Sequence, residues 1–125
     1  MTDGQIHCNL TVVRSADLER AARFYEALGL QLTKHAHGSG PTHLAHKADG
    51  HTFEIYPLKG AAAPTTSTRI GFRVPSVDEA YARLLAAGGT ETSAPQDSEW
   101  GRRAVVTDPD GHRVELTSPV ATRGE

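Results

Sequence analysis

The chain has one cysteine, one tryptophan and one methionine, and no apolar run near the length of a membrane span. A lone cysteine, Cys8, excludes an internal disulfide and fits a reducing, cytoplasmic setting. Beside strand residues it reads as a packed and inert thiol rather than a reactive one. A membrane helix needs ~20 consecutive apolar residues, and nothing here approaches that. The opening residues, MTDGQIH, lack the basic start and apolar stretch of a secretion signal. There is also no excess of positive charge: 13 Lys and Arg face 15 Asp and Glu, for a net charge of −2. Nucleic acid and acidic membrane surfaces are therefore not expected partners. What remains, at 125 residues and 38% hydrophobic content, is one ordinary domain able to bury its own core.

What is present is a repeat. Residues 49–57 read DGHTFEIYP and residues 110–119 read DGHRVELTSP. Asp49, Gly50, His51 and Glu54 recur as Asp110, Gly111, His112 and Glu115, 61 positions later. The likeness extends upstream. Leu18 matches Val77, Ala21 matches Ala80 and Gly29 matches Gly88 at a spacing of 59, while Asn9 with Arg69 and Leu10 with Ile70 fit a spacing of 60. This alignment puts one extra residue into the break VRSAD of the first copy. The chain thus divides into module one at about 5–58, a linker at about 59–67 rich in Ala, Pro and Thr, module two at about 68–119, and a tail at 120–125 that reads as flexible.

Each module reads as β-α-β-β-β. In the first, residues 6–13 alternate and are rich in β-branched side chains, which predicts a strand. Asp17 is a suitable helix cap, Leu18, Ala21, Ala22, Tyr25 and Leu28 recur at helical spacing, and Gly29 ends the helix. Strands are expected at 30–37, 42–48 and 52–56, with an Asp-Gly turn before the last. In the second, a strand at 69–74 leads to a capping box, Ser76 with Glu79, and a buried stripe of Val77, Ala80, Tyr81, Leu84 and Leu85, with Gly88 and Gly89 as the stop. Short strands follow at 91–93, 101–108 and 112–117. The predicted fold is α+β: two βαβββ modules forming an open, cup-shaped mixed sheet with helices on its outer face.

The paired modules, with ADLERAARFYEALGL, VDEAYARLLAAGG and DPDGHRVEL, resemble the vicinal oxygen chelate superfamily, which includes glyoxalase I, bleomycin-resistance proteins, fosfomycin-resistance enzymes and extradiol dioxygenases. The resemblance spans nearly the whole chain. In metal-dependent members it implies a His near the start of each module's first strand and a Glu in each last strand. The glutamates transfer to Glu54 and Glu115, but the histidine positions fall on Asn9 and Arg69. Asn is a poor ligand for a transition metal, and Arg offers no lone pair.

Strand alternation places residues i and i+2 on one face. With Glu54 and Glu115 toward the cup, Thr52, Tyr56, Arg113 and Thr117 join them, as do Arg69, Gly71 and Arg73. In the first strand Leu10 and Val12 are assigned to the core, leaving His7, Asn9 and Thr11 toward the cup. Two carboxylates in one site repel unless a cation intervenes, and a guanidinium can bridge both. Arg69 is therefore expected between Glu54 and Glu115, in the place of a metal. The histidines at 35, 37, 43 and 46 have ligand-like spacing but read as surface residues of a hairpin, and His51 and His112 as structural residues opening strands. Trp100 reads equally as a lid over the cup or an interface residue.

Three functions fit these residues. The first is a metal-free protein resembling the bleomycin-resistance type, binding an anionic or carbonyl-bearing organic ligand through His7, Asn9, Thr11, Glu54, Tyr56, Arg69, Arg73, Trp100 and Glu115. The alternative is a glyoxalase-like lyase or isomerase, or a dioxygenase, with Ni, Zn, Mn or Fe held by His7, Glu54 and Glu115. The third is metal-free acid–base catalysis by Glu54 or Glu115. The resemblance also implies a homodimer.

Overall fold

The computed structural model describes residues 4–119; the expected flexible tail lies outside them. Module one is built from β1 (Leu10–Ser15), α1 (Leu18–Leu28), β2 (Thr33–His35), β3 (His43–Ala48) and β4 (His51–Pro57). Module two is built from β5 (Arg69–Arg73), α2 (Val77–Ala86), β6 (Thr90–Ser98), β7 (Gly101–Thr107) and β8 (Arg113–Ser118). The sheets have the same order, β1-β4-β3-β2 and β5-β8-β7-β6, each with its first strand parallel to its last and on the edge. The βαβββ repeat and the open α+β architecture are as expected, with no closed barrel.

Local chemistry accounts for the helix ends. The Asp17 side chain accepts a hydrogen bond from the Arg20 amide (3.1 Å), and Gly29, at φ 121°, closes α1 in a conformation that suits glycine. Ser76 accepts from the Glu79 amide at 3.2 Å, but the reciprocal half of the box is not seen, because the Glu79 carboxylate turns to Arg83 (3.8 Å). Asp49 and Gly50, at φ 52° and 77°, form the tight turn from β3 to β4. Strand β6 is much longer than the expected 91–93. Its Thr, Ser, Pro and Gln composition hides a strand, and Pro95 is tolerated because β6 is an edge strand with register shifts.

Strand one corrects the sequence reading. Residues 6–9 precede β1; Ile6 is 99% exposed, and Cys8 is exposed rather than packed. In β1 itself, Val13 and Ser15 are buried, while Leu10 and Val12 are 50% and 39% exposed. The parity is therefore the reverse of the one expected. Leu10 pairs with Thr52 as Arg69 pairs with Arg113, so the spacing of 59 seen in the helices holds in the first strands too. No extra residue exists in VRSAD, and the matches at a spacing of 60 were coincidence. Thr11 consequently faces the helix side with Phe53, and Val12 lies beside Glu54.

Both helices feed one core. Val13, Phe24, Tyr25, Phe53 and Ile55 of module one pack in the same cluster as Ile70, Val77, Ala80, Leu84, Val106 and Leu116 of module two. Tyr81 and Leu85 of the expected α2 stripe are only partly buried at its margin. At the seam the rings of Tyr25, Phe53 and Phe72 meet at centroid distances of 5.3, 5.7 and 6.2 Å. Gly89 is also at this seam: a Cβ there would come within 2.9 Å of Phe24 and closer still to Val106.

Beside these rings lies a buried polar centre. The Tyr25 hydroxyl donates to the Asp108 carboxylate, which also holds His112 through its ring Nδ1 (2.8 Å) and its amide (2.9 Å). Burial opposes the charge on Asp108, but the hydrogen bonds from His112 and Tyr25 outweigh it, and the carboxyl is held below its ordinary pKa. Burial and the neighbouring Asp108 push the Tyr25 hydroxyl well up. The linker is tied in as well, since Thr65 Oγ1 meets His112 Nε2 at 2.6 Å and accepts from the Arg14 amide at 2.9 Å.

Asp108→Asn is expected to destabilise the fold by about 3 kcal/mol near neutral pH, the scale for removing one partner of a buried pair. A carboxylate held below its unfolded pKa gives stability that is full above that value and is lost as the pH falls through the folded one. The gap in Tm between wild type and variant should accordingly close below about pH 4. A gap that persists unchanged in acid would show that the charge of Asp108 contributes nothing.

Candidate functional site

Each sheet has one face against the helices and one uncovered. On the uncovered face of sheet one, Glu54 stands between Val12 of β1 and Ala45 of β3. Its nearest basic group is His43, whose Nε2 is 3.7 Å from Glu54 Oε2. His43 was expected at the surface of the hairpin, yet it is 1% exposed and stacked on Tyr56, with ring centroids 4.2 Å apart. An imidazole on a strand can be buried by an aromatic neighbour across the ladder, which spacing within β3 alone does not reveal. Its Nε2 has no hydrogen-bond partner among the described residues.

On the uncovered face of sheet two, Glu115 lies between Gly71 and Val105. Both its oxygens are engaged, by Arg103 Nε at 2.8 Å and Arg69 Nη2 at 2.9 Å. The Arg103 hydrogen bond, against a smaller opposing effect of burial and with help from Arg69, holds the Glu115 carboxyl below its ordinary pKa. The expected contact of Arg69 with Glu115 is present. The bridge to Glu54 is not: each glutamate has a basic partner on its own sheet, and no hydrogen bond or ion pair among the described residues joins Glu54 to Arg69. Sequence reasoning missed Arg103, which pairs with Thr117 and reaches Glu115 diagonally across the β7–β8 ladder, not through any spacing in the chain.

The expected site residues are thus spread over several places. His7 and Asn9 precede β1, and the Asn9 carbonyl accepts from Thr52 (2.9 Å). Trp100 is 84% exposed at the β6–β7 turn. Thr11, Arg69 and Arg73 come together at a cleft of about 660 Å3 between the modules. One wall is β5, continuing to Val74 and Pro75. The other is the helix side of sheet one, with Thr11, His51 and Phe53, and the end of α1 at Leu28 and Leu30. Phe53, Ile70 and Phe72 make an apolar floor, and Arg69, Arg73 and Arg83 are among the lining residues, the Arg69 guanidinium being bonded to Glu115. No Asp or Glu lines the cleft. Arg83 donates to the Ala27 carbonyl (2.9 Å), whereas Arg73 has no partner among the described residues. His51 is structural, as expected, linking Thr11 Oγ1 (2.9 Å) to the Cys8 carbonyl (3.0 Å).

The profile of the Glyoxalase/Bleomycin resistance protein/Dioxygenase superfamily matches residues 6–116. The chain belongs to this superfamily. A glyoxalase-related enzyme from Fulvimarina pelagi shares the fold at a TM-score of 0.72 and 24% identity, covering 98% of this chain and 96% of that one. TnmS3, an antibiotic binding protein from Streptomyces sp. CB03234, has a TM-score of 0.71 and 29% identity over 94% of this chain and 99% of its own. An uncharacterised protein of Mycolicibacterium smegmatis is 28% identical over 96% of this chain and 98% of its own length.

The superfamily includes metal-dependent members, and the described residues around Glu54 and Glu115 do not fit a divalent cation. Glu115 is already neutralised by two guanidiniums. The residues beside the glutamates on the parallel strands, Val12 and Gly71, carry no donor. Among the described residues no three His, Cys, Asp or Glu side chains are placed to hold a metal ion. No helix among them is long and apolar enough to cross a membrane.

The cluster on sheet two yields a direct test. Arg103→Gln should raise the pKa of Glu115 more than Arg69→Gln does, read from the side-chain carboxyl resonance across an acid titration. Equal effects, or a larger one from Arg69, would mean that the Arg103 hydrogen bond is not the stronger.

Proposed function

We propose that this protein binds a small organic anion in the cleft between its modules, in the cytoplasm and without a metal ion. The composition of the cleft carries the reading: an apolar floor of Phe53, Ile70 and Phe72, with Arg69, Arg73 and Arg83 in the lining and no acidic residue there. Its volume of about 660 Å3 is that of a ligand pocket. Of the three arginines in the lining, Arg73 is the one with no partner among the described residues, so it is the one available to an incoming carboxylate or sulfonate. The antibiotic-binding role of TnmS3, a relative at 29% identity, supports binding over turnover. So does Glu115, whose oxygens are both occupied and whose depressed pKa makes it a weak base.

The test is calorimetric titration with a panel of aryl carboxylates and sulfonates, paired with neutral analogues. Anions should bind and their neutral analogues should not. Arg73→Gln should weaken binding about tenfold, the loss of one hydrogen bond to a charged group. EDTA should leave Tm unchanged, whereas removing a native-state metal would lower it by mass action. Preference for neutral ligands, or a Tm that falls with chelator and returns with one metal, would count against the proposal.

Assembly enters through β1. Leu10 and Val12 are large apolar side chains exposed side by side on the uncovered face of an edge strand. We propose that a second copy covers them, as the homodimers of this superfamily imply. Light scattering at micromolar concentration should give twice the chain mass, and Val12→Asp should reduce it to one. A wild-type monomer would remove this part of the reading.

A further inference from the structure

We infer that Asp49 is a modification site: its side-chain carboxyl closes on the Gly50 main-chain nitrogen and reopens as an isoaspartyl, β-linked residue, while the fold holds back the identical pair Asp110–Gly111. Both modules carry the same reactive dipeptide, and only one copy is shielded.

The chemistry needs a carboxyl free to turn, a free amide beside it, and open space around that amide. Asp49 and Gly50 supply all three. Both are exposed, in the two-residue turn between β3 and β4. Among the described residues the Asp49 carboxylate has no hydrogen bond or ion pair, and the Gly50 amide has no acceptor. A Cβ built at Gly50 would meet nothing within 4 Å, so no atom crowds its approach. Asp49 is also at φ 52°, a left-handed conformation that few residues other than glycine adopt, and leaving it relieves strain.

Asp110 and Gly111 are the same residues without this freedom. The Asp110 side chain is 9% exposed, and its carboxylate accepts from the Ser15 hydroxyl, the Ala16 amide and Arg20. The Gly111 amide is spent on the Asp108 carbonyl at 2.9 Å. A Cβ at Gly111 would come within 2.9 Å of Thr66, so the linker crowds this turn. The ring can close here only after local opening breaks these bonds. The third such pair, Asp3–Gly4, begins outside the described residues.

In the step itself the Gly50 nitrogen attacks the side-chain carbonyl carbon of protonated Asp49. A C–N bond forms, and the hydroxyl leaves with the amide proton as water, giving a cyclic imide. Water then adds back at either carbonyl. Attack at the side-chain carbonyl breaks the new C–N bond and restores Asp. Attack at the main-chain carbonyl breaks the original peptide C–N bond and leaves the chain running through the side chain. Mass is unchanged, no reagent but water takes part, and the backbone gains one carbon atom.

The turn borders the cleft. Ala48 and His51 pair across it, both line the cleft, and His51 holds Thr11 Oγ1 and the Cys8 carbonyl. A two-residue turn has no slack for an added backbone atom. In the isoaspartyl form the Ala48–His51 pair is lost, and this part of the cleft wall shifts with it.

The experiment ages the folded protein for weeks in mild acid, about pH 5, where an ordinary Asp carboxyl is protonated part of the time. Trypsin releases residues 48–59 and 104–113 as separate peptides. An isoaspartyl peptide has the mass of its parent but a different retention, and electron-transfer fragmentation locates the β-linkage. Isoaspartate should accumulate in 48–59, and at least about tenfold more slowly in 104–113, whose turn reacts only on local opening. In urea the two peptides should age alike. Asp49→Asn should form the same imide faster at neutral pH, losing ammonia instead of water and so gaining mass. Asp49→Gly suits the left-handed turn and cannot close the ring. Its 15N amide spectrum should not change with age at Thr11, Ala48 and His51, whereas aged wild type should develop a second set of resonances there. Absence of isoaspartate at Asp49, equal accumulation in the two peptides of the folded protein, or an Asp49→Asn variant that does not deamidate would overturn the inference. Isoaspartate at Asp49 with unchanged Ala48 and His51 resonances would overturn its effect on the cleft and uphold the site.

Discussion

Asp108 is a carboxylate 4% exposed to solvent, and it stays charged because groups drawn from distant parts of the chain converge on it. Tyr25 comes from the helix of module one and His112 from the turn before β8. Through His112 the contact continues to Thr65 in the linker and to the main chain of β1 at Arg14. A buried charge tolerates few arrangements, since any loosening leaves it without its donors. This centre therefore sets how one module sits on the other. The three aromatic rings beside it supply the apolar part of the same joint. The cleft is a by-product of that joint: its floor is the flank of Phe53 and Phe72, and its walls are one strand edge and one sheet face held at a fixed separation.

The βαβββ repeat, the caps at Asp17, Gly29 and Ser76, and the faces of β4, β5 and β8 were legible because each depends on neighbours in the sequence. Phe53 and Ile55 had to alternate with Glu54, and Ile70 and Phe72 with Gly71, whatever the modules did. Strand β1 was misread for a specific reason. Leu10 and Val12 look like core residues in an alternating strand, but the core side belongs to Val13 and Ser15, and the apolar pair is exposed. Hydrophobic alternation reports which side is apolar, not which side is covered within one chain.

The candidate site was less legible than the fold. Glu54 and Glu115 were found as a repeat, yet they sit on separate sheets, and their partners His43 and Arg103 come from strands that the sequence does not align with them. Arg69 and Arg73 were singled out for their side chains. Thr11 was included for a face it does not occupy, and it reaches the cleft from the opposite side.

The two copies of Asp-Gly-His have also ceased to be equivalent. Asp49 forms a plain hairpin turn, whereas Asp110 crosses to module one, accepting from Ser15 Oγ at 2.6 Å, from the Ala16 amide at 3.0 Å and from Arg20 at 3.0 Å. The turn of the second module thus clasps the entry to the helix of the first, and among the described residues no side-chain hydrogen bond from Asp49 does the same in return. The halves have become a lock and a key cut from one pattern. A chain made of two first modules would lack this clasp, and with it the Asp108 centre that joins Tyr25 to His112.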